Sequence, residues 1–247
     1  MRLDKFVAQA AQLTRNEARN AIRRGEVTVN GEVCKKADCS VEQDREICLS
    51  GRPLLLVSHV YIMLDKPKGV VSASRDRADR TVVDFVKNDY PRRELFPAGR
   101  LDKTSTGFVL VTDDGVFAHD ILSPRRHVSK TYEVELDTPV TEEMILGFSQ
   151  GVRLADGETM MPAGLTVGEK GPCSAVVELR QGVYHQIKRM FGVYGAGVCE
   201  LRRVAIGGLA LDPNLGAGGF REITQEELKK ITDVRLQSFQ KNNTTVL

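Results

Sequence analysis

The glycine-bounded segment Gly99–Gly107 contains the carboxylate with the clearest chemical potential, Asp102. It precedes the apolar run Phe108–Val111, so Asp102 is predicted to lie in a loop at the mouth of a strand. Glycines at both ends permit sharp turns and a close approach of the backbone to a ligand. A carboxylate in such a loop can serve as a nucleophile, a base or a metal ligand. Because Asp is also common in ordinary turns, other segments must decide between these possibilities.

Two further segments combine cations with elements that could bring them to a site. Lys66-Pro67-Lys68-Gly69 follows the strand pattern Tyr61–Leu64 and places two cations around a rigid proline. The segment Tyr184–Met190 begins a helix whose apolar residues recur at core spacing, which leaves Lys188 and Arg189 pointing away from the core. Taken alone, that pair is typical of a solvated helix face.

The elements that must position these residues are short and mixed. Strand-like runs are found at Tyr61–Leu64, Phe108–Thr112, Thr131–Leu136, Ala175–Leu179 and Val198–Ile206. Helical patterns are found at Thr81–Lys87, Val116–Leu122, Thr141–Phe148, Tyr184–Tyr194 and from a capped start at Thr224. Strands and helices without regular alternation indicate an α+β domain with a largely antiparallel sheet. We expect this domain over 61–235, followed by a flexible tail at 236–247.

Residues 1–50 are predicted to form a separate small module, joined by a linker at 51–60. Its first helix is indicated by an apolar stripe at Leu3, Phe6, Val7 and Ala10. Thr14-Arg15-Asn16-Glu17 fits a capping box, so a second helix should run from about Arg15 to Arg24 and end at Gly25. The alternating Val27–Val29 followed by Asn30-Gly31 predicts a two-residue β-hairpin.

The second helix carries a basic stripe, because Arg15, Arg19 and Arg23 are spaced by four residues. Such a stripe is often only a solvated helix face. Beside a tight hairpin it is also how small RNA-binding modules present cations to phosphates. The formal net charge is +2, so an RNA-binding hypothesis depends on where the cations lie and not on their total.

The amino-acid composition limits the classes of protein to which this chain can belong. The chain has 247 residues, 41% hydrophobic and 28% charged, which is typical of a soluble globular protein with enough apolar material for a core. The five cysteines, Cys34, Cys39, Cys48, Cys173 and Cys199, include no Cys-x-x-Cys pair and are expected to be free thiols. The longest apolar runs are too short to span a bilayer, and the first residues lack a signal-peptide core. We therefore expect a cytoplasmic protein with no membrane contact.

Together these segments resemble the pseudouridine synthases of the RsuA type, which act on ribosomal RNA, over essentially the whole chain. The first 50 residues resemble the alpha-L RNA-binding module shared with several ribosomal proteins and some tRNA synthetases. The family's motifs are matched by Lys66–Gly69, Gly99–Gly107, Thr131–Val134, Tyr184–Met190 and Leu201–Gly207. One departure is Met161, where relatives commonly have Lys before the proline.

The resemblance implies a role for each matched residue. Asp102 would be the catalytic carboxylate, Tyr132 would stack on the target uracil, and Lys188 would pair with Asp102. Arg100 would help hold the site vacated by the flipped base, and Leu201 would form an apolar wall. Further substrate contacts are expected from Lys66, His185, Arg15, Arg19 and Arg23. A desolvated pocket disfavours an ionised carboxylate, and a cation at Lys188 would counter that effect.

The implied reaction breaks the N1–C1′ bond of a uridine, rotates the uracil and joins C5 to C1′. It needs no cofactor, no metal and no energy input, and a platform such as Tyr132 can offset part of the cost of unstacking the base. The expected partner is ribosomal RNA or a pre-ribosomal particle, bound by a monomer. The lack of a long basic C-terminal extension favours small-subunit (16S) rRNA over the alternative, large-subunit (23S) rRNA.

Two other classes remain as alternatives. A non-catalytic RNA-binding factor for ribosome assembly could keep the same fold, although it would not need Asp102 or Tyr132. A hydrolase with an aspartyl nucleophile should show a second acid or a metal pair nearby. The close acidic pair in the sequence, Asp113-Asp114, precedes a glycine and is more typical of a turn.

Overall fold

The computed structural model describes residues 1–42, 45–54, 59–123 and 128–233. The chain divides into two compact units, Met1–His59 and Val60–Leu247. The tail predicted at 236–247 lies outside the described residues. Within the part of the chain that the structure describes, no helix is long and apolar enough to cross a membrane.

The N-terminal unit consists of two helices and a four-stranded antiparallel sheet. The helices are α1 (Leu3–Ala10) and α2 (Arg15–Arg24), and the strands are β1 (Val27–Val29), β2 (Glu32–Val33), β3 (Ile47–Leu49) and β4 (Arg52–Pro53), in the order β2-β1-β3-β4. Because Arg52–Pro53 pairs with Ile47–Leu49, the interval predicted as a linker at 51–60 begins inside this sheet. Leu54 also packs against the core of this unit.

The short sequence motifs of this unit form the structures that they predict. Thr14 and Glu17 form both halves of the capping box, and Gly25 ends α2 with a left-handed φ of 78°. Asn30 and Gly31 both have positive φ, as a tight hairpin turn requires. The core consists of Leu3, Phe6, Val7, Ala18, Ile22, Val27, Val41 and Ile47. Short-range chemistry therefore accounts for most of the unit.

The second unit is built on one large sheet with helices packed against it. Its strands are β5 (Tyr61–Lys66), β6 (Phe96–Pro97), β7 (Thr106–Thr112), β8 (Lys130–Leu136), β9 (Gly164–Val167), β10 (Ser174–Leu179), β11 (Val198–Ile206), β12 (Leu209–Ala210) and β13 (Phe220–Glu222). Its helices are α3 (Gly115–Leu122), α4 (Glu142–Gln150), α5 (Gln186–Gly192) and α6 (Gln225–Thr232). The main path of the sheet is β13-β5-β7-β11-β8-β10-β9, with β12 beside β11 and β6 beside β7. Only β7 and β11 pair in parallel among these strands, so the predicted α+β class with a largely antiparallel sheet is confirmed.

Successive residues of the central strands enter two separate cores. On β7, Val109 and Val111 join one cluster, while Phe108 and Leu110 join the other. Successive side chains of a strand point to opposite faces, so the sheet is covered on both sides. Helices α4 and α5 contribute to the first cluster, and α3 and α6 contribute to the second. This double burial explains why β5 and β7 appear in the sequence as continuous apolar runs.

The helix predicted at Thr81–Lys87 is wrong. Only one 3-10 turn, Val83–Phe85, forms there. The Asp84 carboxylate accepts hydrogen bonds from the Thr81 amide and hydroxyl, which satisfies the backbone locally. Three valines in the segment also disfavour a longer helix because they are branched at Cβ.

Candidate active site

Asp102 lies in the loop before β7 and lines a cavity of about 840 Å³. That volume falls within the range of pockets that hold small organic ligands. Several predicted site residues line the same cavity, namely Arg100, Asp102, Tyr132, His185, Lys188 and Leu201. The fold therefore brings together side chains from segments that are far apart in the sequence.

Two basic side chains approach Asp102 from the start of α5. Lys188 Nζ lies 3.3 Å from Asp102 Oδ2, so the predicted ion pair is present. The same Nζ donates a hydrogen bond to Thr104 Oγ1 at 3.2 Å, which holds the ammonium against the loop. His185 Nε2 lies 3.4 Å from Asp102 Oδ2 and carries a charge only when it is protonated. The carboxylate is thus held beside a cation and an imidazole.

The inner wall of the cavity includes Tyr132 on β8 and both Leu201 and Arg203 on β11. Arg203 on β11 lies opposite Tyr132 on β8 and opposite Gly107 on β7. Gly107 has a φ of 100°, and a Cβ there would lie 2.2 Å from the Arg203 carbonyl oxygen. Glycine is therefore required where the loop of Asp102 enters β7. Leu201, on the same strand as Arg203, supplies a nearly buried apolar surface.

Lys66, a predicted substrate contact, lies beneath the loop and is not among the residues that line the cavity. The side chain is fully buried, and its Nζ donates hydrogen bonds to the carbonyl oxygens of Pro67, Lys103 and Ser105 at 3.1, 3.5 and 2.6 Å. These three bonds use all the donors of an ammonium group. Burial lowers the pKa of Lys66 to about 8, against an opposing attraction to Asp102. The residue fixes the backbone of the loop that carries Asp102.

Ser72 holds the same loop at a second point. Its Oγ accepts a hydrogen bond from the Leu101 amide and donates one to the Leu101 carbonyl, both at 3.0 Å. The Gly69 amide donates to the Lys103 carbonyl, and Lys103 Nζ pairs with Asp79. Asp102 is therefore flanked on both sides by residues whose backbone is pinned. No pattern around Ser72 signals this contact, because it joins segments about thirty residues apart.

Lys130 and Arg203 are two further buried cations that line the cavity. Lys130 Nζ donates to the carbonyls of Ile121 and Val128, and Arg203 Nε donates to the carbonyl of Phe108. Burial and the neighbouring Arg203 lower the pKa of Lys130 to about 8. Neither cation forms an ion pair with a carboxylate of the described residues. Both lie within or beside matched motifs, but only the three-dimensional pairing of β8 and β11 shows their burial.

The remaining predicted residues have distinct environments. Arg100 is exposed at the cavity. Arg189 does not line the cavity and instead pairs with Asp156 and Glu158. Met161 is partly exposed and is not among the residues that line the cavity, while its backbone amide donates to Gln181 Oε1.

The acidic pair Asp113-Asp114 has structural roles, as expected of a turn. Asp114 caps α3 by accepting hydrogen bonds from the amides of Val116 and Phe117. Asp113 accepts a hydrogen bond from the Val60 amide. Within the described residues, no group of three or more His, Cys, Asp or Glu side chains is arranged to hold a metal ion.

In the N-terminal unit the predicted basic stripe is divided. Arg19 Nε donates to the buried Asp4 at 3.0 Å, and Arg2 also binds that carboxylate. The hydrogen bond from Arg2 is the main cause that lowers the pKa of Asp4. Arg15 and Arg23 are exposed and have no ion pair within the described residues. Arg19 therefore contributes to the fold, and the two outer arginines are the cations available to a ligand.

Comparison with known proteins identifies the class. Residues 60–192 match the model of the RNA pseudouridylate synthase family, and residues 1–47 match that of the S4 domain. The chain belongs to the RNA pseudouridylate synthase family, and it is an isomerase whose catalytic domain follows an S4 domain. The resemblance predicted from the motifs is confirmed.

Individual relatives match along nearly the whole chain. The ribosomal small subunit pseudouridine synthase A of Escherichia coli (strain K12) is 40% identical over 233 residues, covering 94% of this chain and 100% of that protein. An uncharacterized RNA pseudouridine synthase of Bacillus subtilis (strain 168) is 38% identical over 236 residues, covering 94% and 99%. The crystal structure of a pseudouridylate synthase has a TM-score of 0.66 at 38% identity and covers 94% of this chain and 99% of that one.

Proposed function

We propose that this protein isomerises a specific uridine of small-subunit (16S) ribosomal RNA, with Asp102 as the catalytic carboxylate. The proposed target follows the relatives named for the ribosomal small subunit, which are about 40% identical. The observation that carries the catalytic role is the position of Asp102, on a pinned loop within a cavity and 3.3 Å from the Lys188 ammonium. The protein acts as a monomer in the cytoplasm, on free rRNA or a pre-ribosomal particle.

The cavity suggests a role for each side chain around the target base. The uridine leaves its stack, and the nearly buried Tyr132 ring supplies an aromatic surface for the uracil. Leu201 forms the apolar wall, and Arg100 occupies the exposed rim where the base leaves the RNA. Asp102 acts directly on the ribosyl or the uracil carbon while the N1–C1′ bond breaks and the C5–C1′ bond forms. The hydrogen at C5 leaves as a proton and N1 gains one, so the product is an isomer of the substrate.

Lys188 places a positive charge beside the Asp102 carboxylate within this cavity. A carboxylate that loses water on substrate binding is disfavoured in its charged form. A cation at 3.3 Å opposes that effect, and its bond to Thr104 fixes its position. His185 lies on the same carboxylate oxygen and orients the substrate, since the isomerisation does not require an imidazole as a base.

The test of the catalytic role is Asp102→Asn, which keeps the shape of the side chain and removes its charge. Release of tritium from C5 of labelled uridine is measured at single turnover with enzyme in excess. We expect the rate to fall by several orders of magnitude, beyond the roughly 10–1000-fold effect of removing a positioning group, while RNA binding survives. Asp89→Asn is the control, because Asp89 is exposed and does not line the cavity. An Asp102→Asn protein that retains a tenth of the wild-type rate would refute the assignment.

The target is tested with separate transcripts of small-subunit and large-subunit rRNA. Pseudouridine is mapped in each after incubation with the protein, and modification of one small-subunit uridine is expected. Modification of the large-subunit transcript alone would overturn the proposed target while leaving the reaction intact. Modification of neither transcript, nor of assembling particles of either subunit, would favour the non-catalytic ribosome-assembly role.

The N-terminal unit is proposed to contribute affinity through Arg15 and Arg23. The variant Arg15→Gln/Arg23→Gln should bind RNA more weakly, and the slope of log affinity against log salt should become shallower by about one for each phosphate that is no longer bound. Arg24→Gln is the control, because Arg24 already pairs with Glu26. A salt slope that equals that of the wild type would show that the stripe is only a solvated helix face.

A further inference from the structure

Two tyrosines line the cavity, and they differ sharply in exposure. Tyr132 is 9% exposed, whereas Tyr184 is 71% exposed. A buried ring within the cavity suits a base that enters it. A ring that is mostly exposed at the same cavity must meet something that stays outside. The reaction proposed above gives Tyr184 no role.

The Tyr184 ring is held in a fixed orientation by its neighbour. It stacks on the His185 imidazole with centroids 3.8 Å apart and an interplanar angle of 17°. His185 has a left-handed φ of 52°, a conformation that few non-glycine residues adopt. The buried Gln186 stabilises this turn, since its Oε1 accepts a hydrogen bond from the Val183 amide and its Nε2 donates one to Gln181. Both rings of the stack are therefore positioned by a built turn.

The stack begins at the catalytic carboxylate. His185 Nε2 lies 3.4 Å from Asp102 Oδ2, and Tyr184 covers one face of the His185 ring. The other face of Tyr184 is open, as its exposure shows. A flat group placed on that face would therefore lie one ring further from Asp102 than Tyr184. The exposed cation Arg100 lines the same cavity and is available to the backbone of a polyanion there.

We propose that Tyr184 is a stacking platform for the base of a nucleotide that flanks the target uridine. The inference rests on the proposed function, since it requires an RNA substrate with a flipped uridine. Single-stranded and unpaired bases are commonly bound by stacking on aromatic side chains. Every base has a flat aromatic face, so the platform favours an unstacked neighbour whatever its identity. It thus selects for local RNA structure around the target.

The test uses an RNA fragment centred on the uridine that the wild-type protein modifies in rRNA. Binding is measured with the intact fragment and with fragments that carry an abasic nucleotide immediately 5′ or immediately 3′ of that uridine. Tyr184→Ala should weaken binding of the intact fragment by about 5- to 150-fold, which is the usual effect of removing one base stack. Tyr184→Phe should retain the affinity. Tyr184→Leu should lose most of it, because an apolar side chain without a flat ring does not stack.

Combining the Tyr184→Ala substitution with the abasic fragments separates a loss of stacking from a structural effect on His185. In the wild type, one of the two abasic fragments should bind as weakly as the intact fragment binds to Tyr184→Ala. That same fragment should lose nothing further with Tyr184→Ala, because the interaction is already absent. Val116→Ala is the control, because Val116 is 78% exposed and lies outside the cavity lining.

Additive losses, or equal binding of both abasic fragments and the intact fragment by the wild type, would overturn the inference. Retained affinity of Tyr184→Leu would also overturn it, since the interaction would then be only apolar. These results concern affinity at a mapped site, so they are independent of the Asp102→Asn result. If the protein modified no rRNA at all, the proposed function would fail first, and the inference that rests on it would fail with it.

Discussion

The loop that carries Asp102 has two sides, and a lysine lies on each of them. On the cavity side, Lys188 is 31% exposed and its ammonium lies 3.3 Å from the Asp102 carboxylate. On the buried side, Lys66 has no exposure, and its ammonium donates only to backbone carbonyl oxygens of Pro67, Lys103 and Ser105. One cation lies against the Asp102 carboxylate, and the other fixes the backbone of the loop that carries it.

Two residues of the same type therefore have different roles at this loop. Both lysines belong to matched motifs, and both interact electrostatically with Asp102. A cation that remains partly in water can be removed without leaving a cavity or an unsatisfied backbone. A cation that satisfies the buried carbonyl of Ser105 cannot, because an unpaired buried acceptor costs about 1–3 kcal/mol. The two sides of the loop should therefore respond differently to the same substitution.

Of the two lysines, Lys188 is expected to have the larger effect on turnover, measured with the variant Lys188→Met. The rate of pseudouridine formation should fall by about 100-fold or more, because the Asp102 carboxylate loses the positive charge that lies beside it. RNA affinity should remain within a few-fold, and the thermal midpoint should change little because the side chain is partly exposed. Single-turnover rates, a binding isotherm and a melting curve provide the three measurements. If affinity falls while the rate at saturating RNA is kept, Lys188 binds a phosphate and its pairing with Asp102 has no catalytic role.

Lys66→Met should show the opposite balance. Removal of the ammonium leaves the carbonyls of Pro67, Lys103 and Ser105 without their donor, so the free energy of unfolding should fall by about 1–3 kcal/mol. For a chain of this size that corresponds to a fall in Tm of about 2–4 °C per kcal/mol. Turnover should fall by about 10- to 100-fold, because Asp102 is less firmly placed. A wild-type Tm combined with strongly reduced RNA binding would return Lys66 to the role of a substrate-binding residue.

The two lysines also show which features of the structure can be predicted from the sequence. The pairing of Lys188 with Asp102 follows from the family resemblance, and the capped helix α2 and the Asn30-Gly31 hairpin follow from short motifs; all three match the structure. The burial of Lys66 does not, because it depends on β5 pairing with β7 and on hydrogen bonds across about forty residues. The roles of Ser72 and Arg203 cannot be predicted from the sequence for the same reason, since they depend on strand register and on the packing of distant loops. Local chemistry predicts local structure, and buried polar interactions between distant segments require the fold.

A third lysine, Lys130, is also buried, and its contribution to stability is expected to depend on pH. Burial, together with Arg203, lowers the pKa of this side chain to about 8 from an ordinary value of 10.5. Between those two pH values the native protein has released the proton while the unfolded chain still holds it. Stability linked to Lys130 should therefore rise as pH increases from about 8 to about 10.5, by an amount on the order of 1–3 kcal/mol.

Guanidinium denaturation at several pH values gives the free energy of unfolding. The contribution of Lys130 is the difference in this free energy between the wild type and Lys130→Met. Lys66 and other groups also titrate in this range, but their contributions are common to both proteins and cancel in the difference. The wild type should gain stability relative to Lys130→Met across the window. No such gain is expected relative to the control Lys170→Met, because Lys170 is exposed and paired with Glu135. If the difference in the free energy of unfolding between the wild type and Lys130→Met stays constant with pH, Lys130 is not held in a desolvated site that lacks a carboxylate partner. Buried lysines of this site would then keep their charge because water reaches them. The partly exposed Lys188 and the buried Lys66 would in that case differ less than proposed.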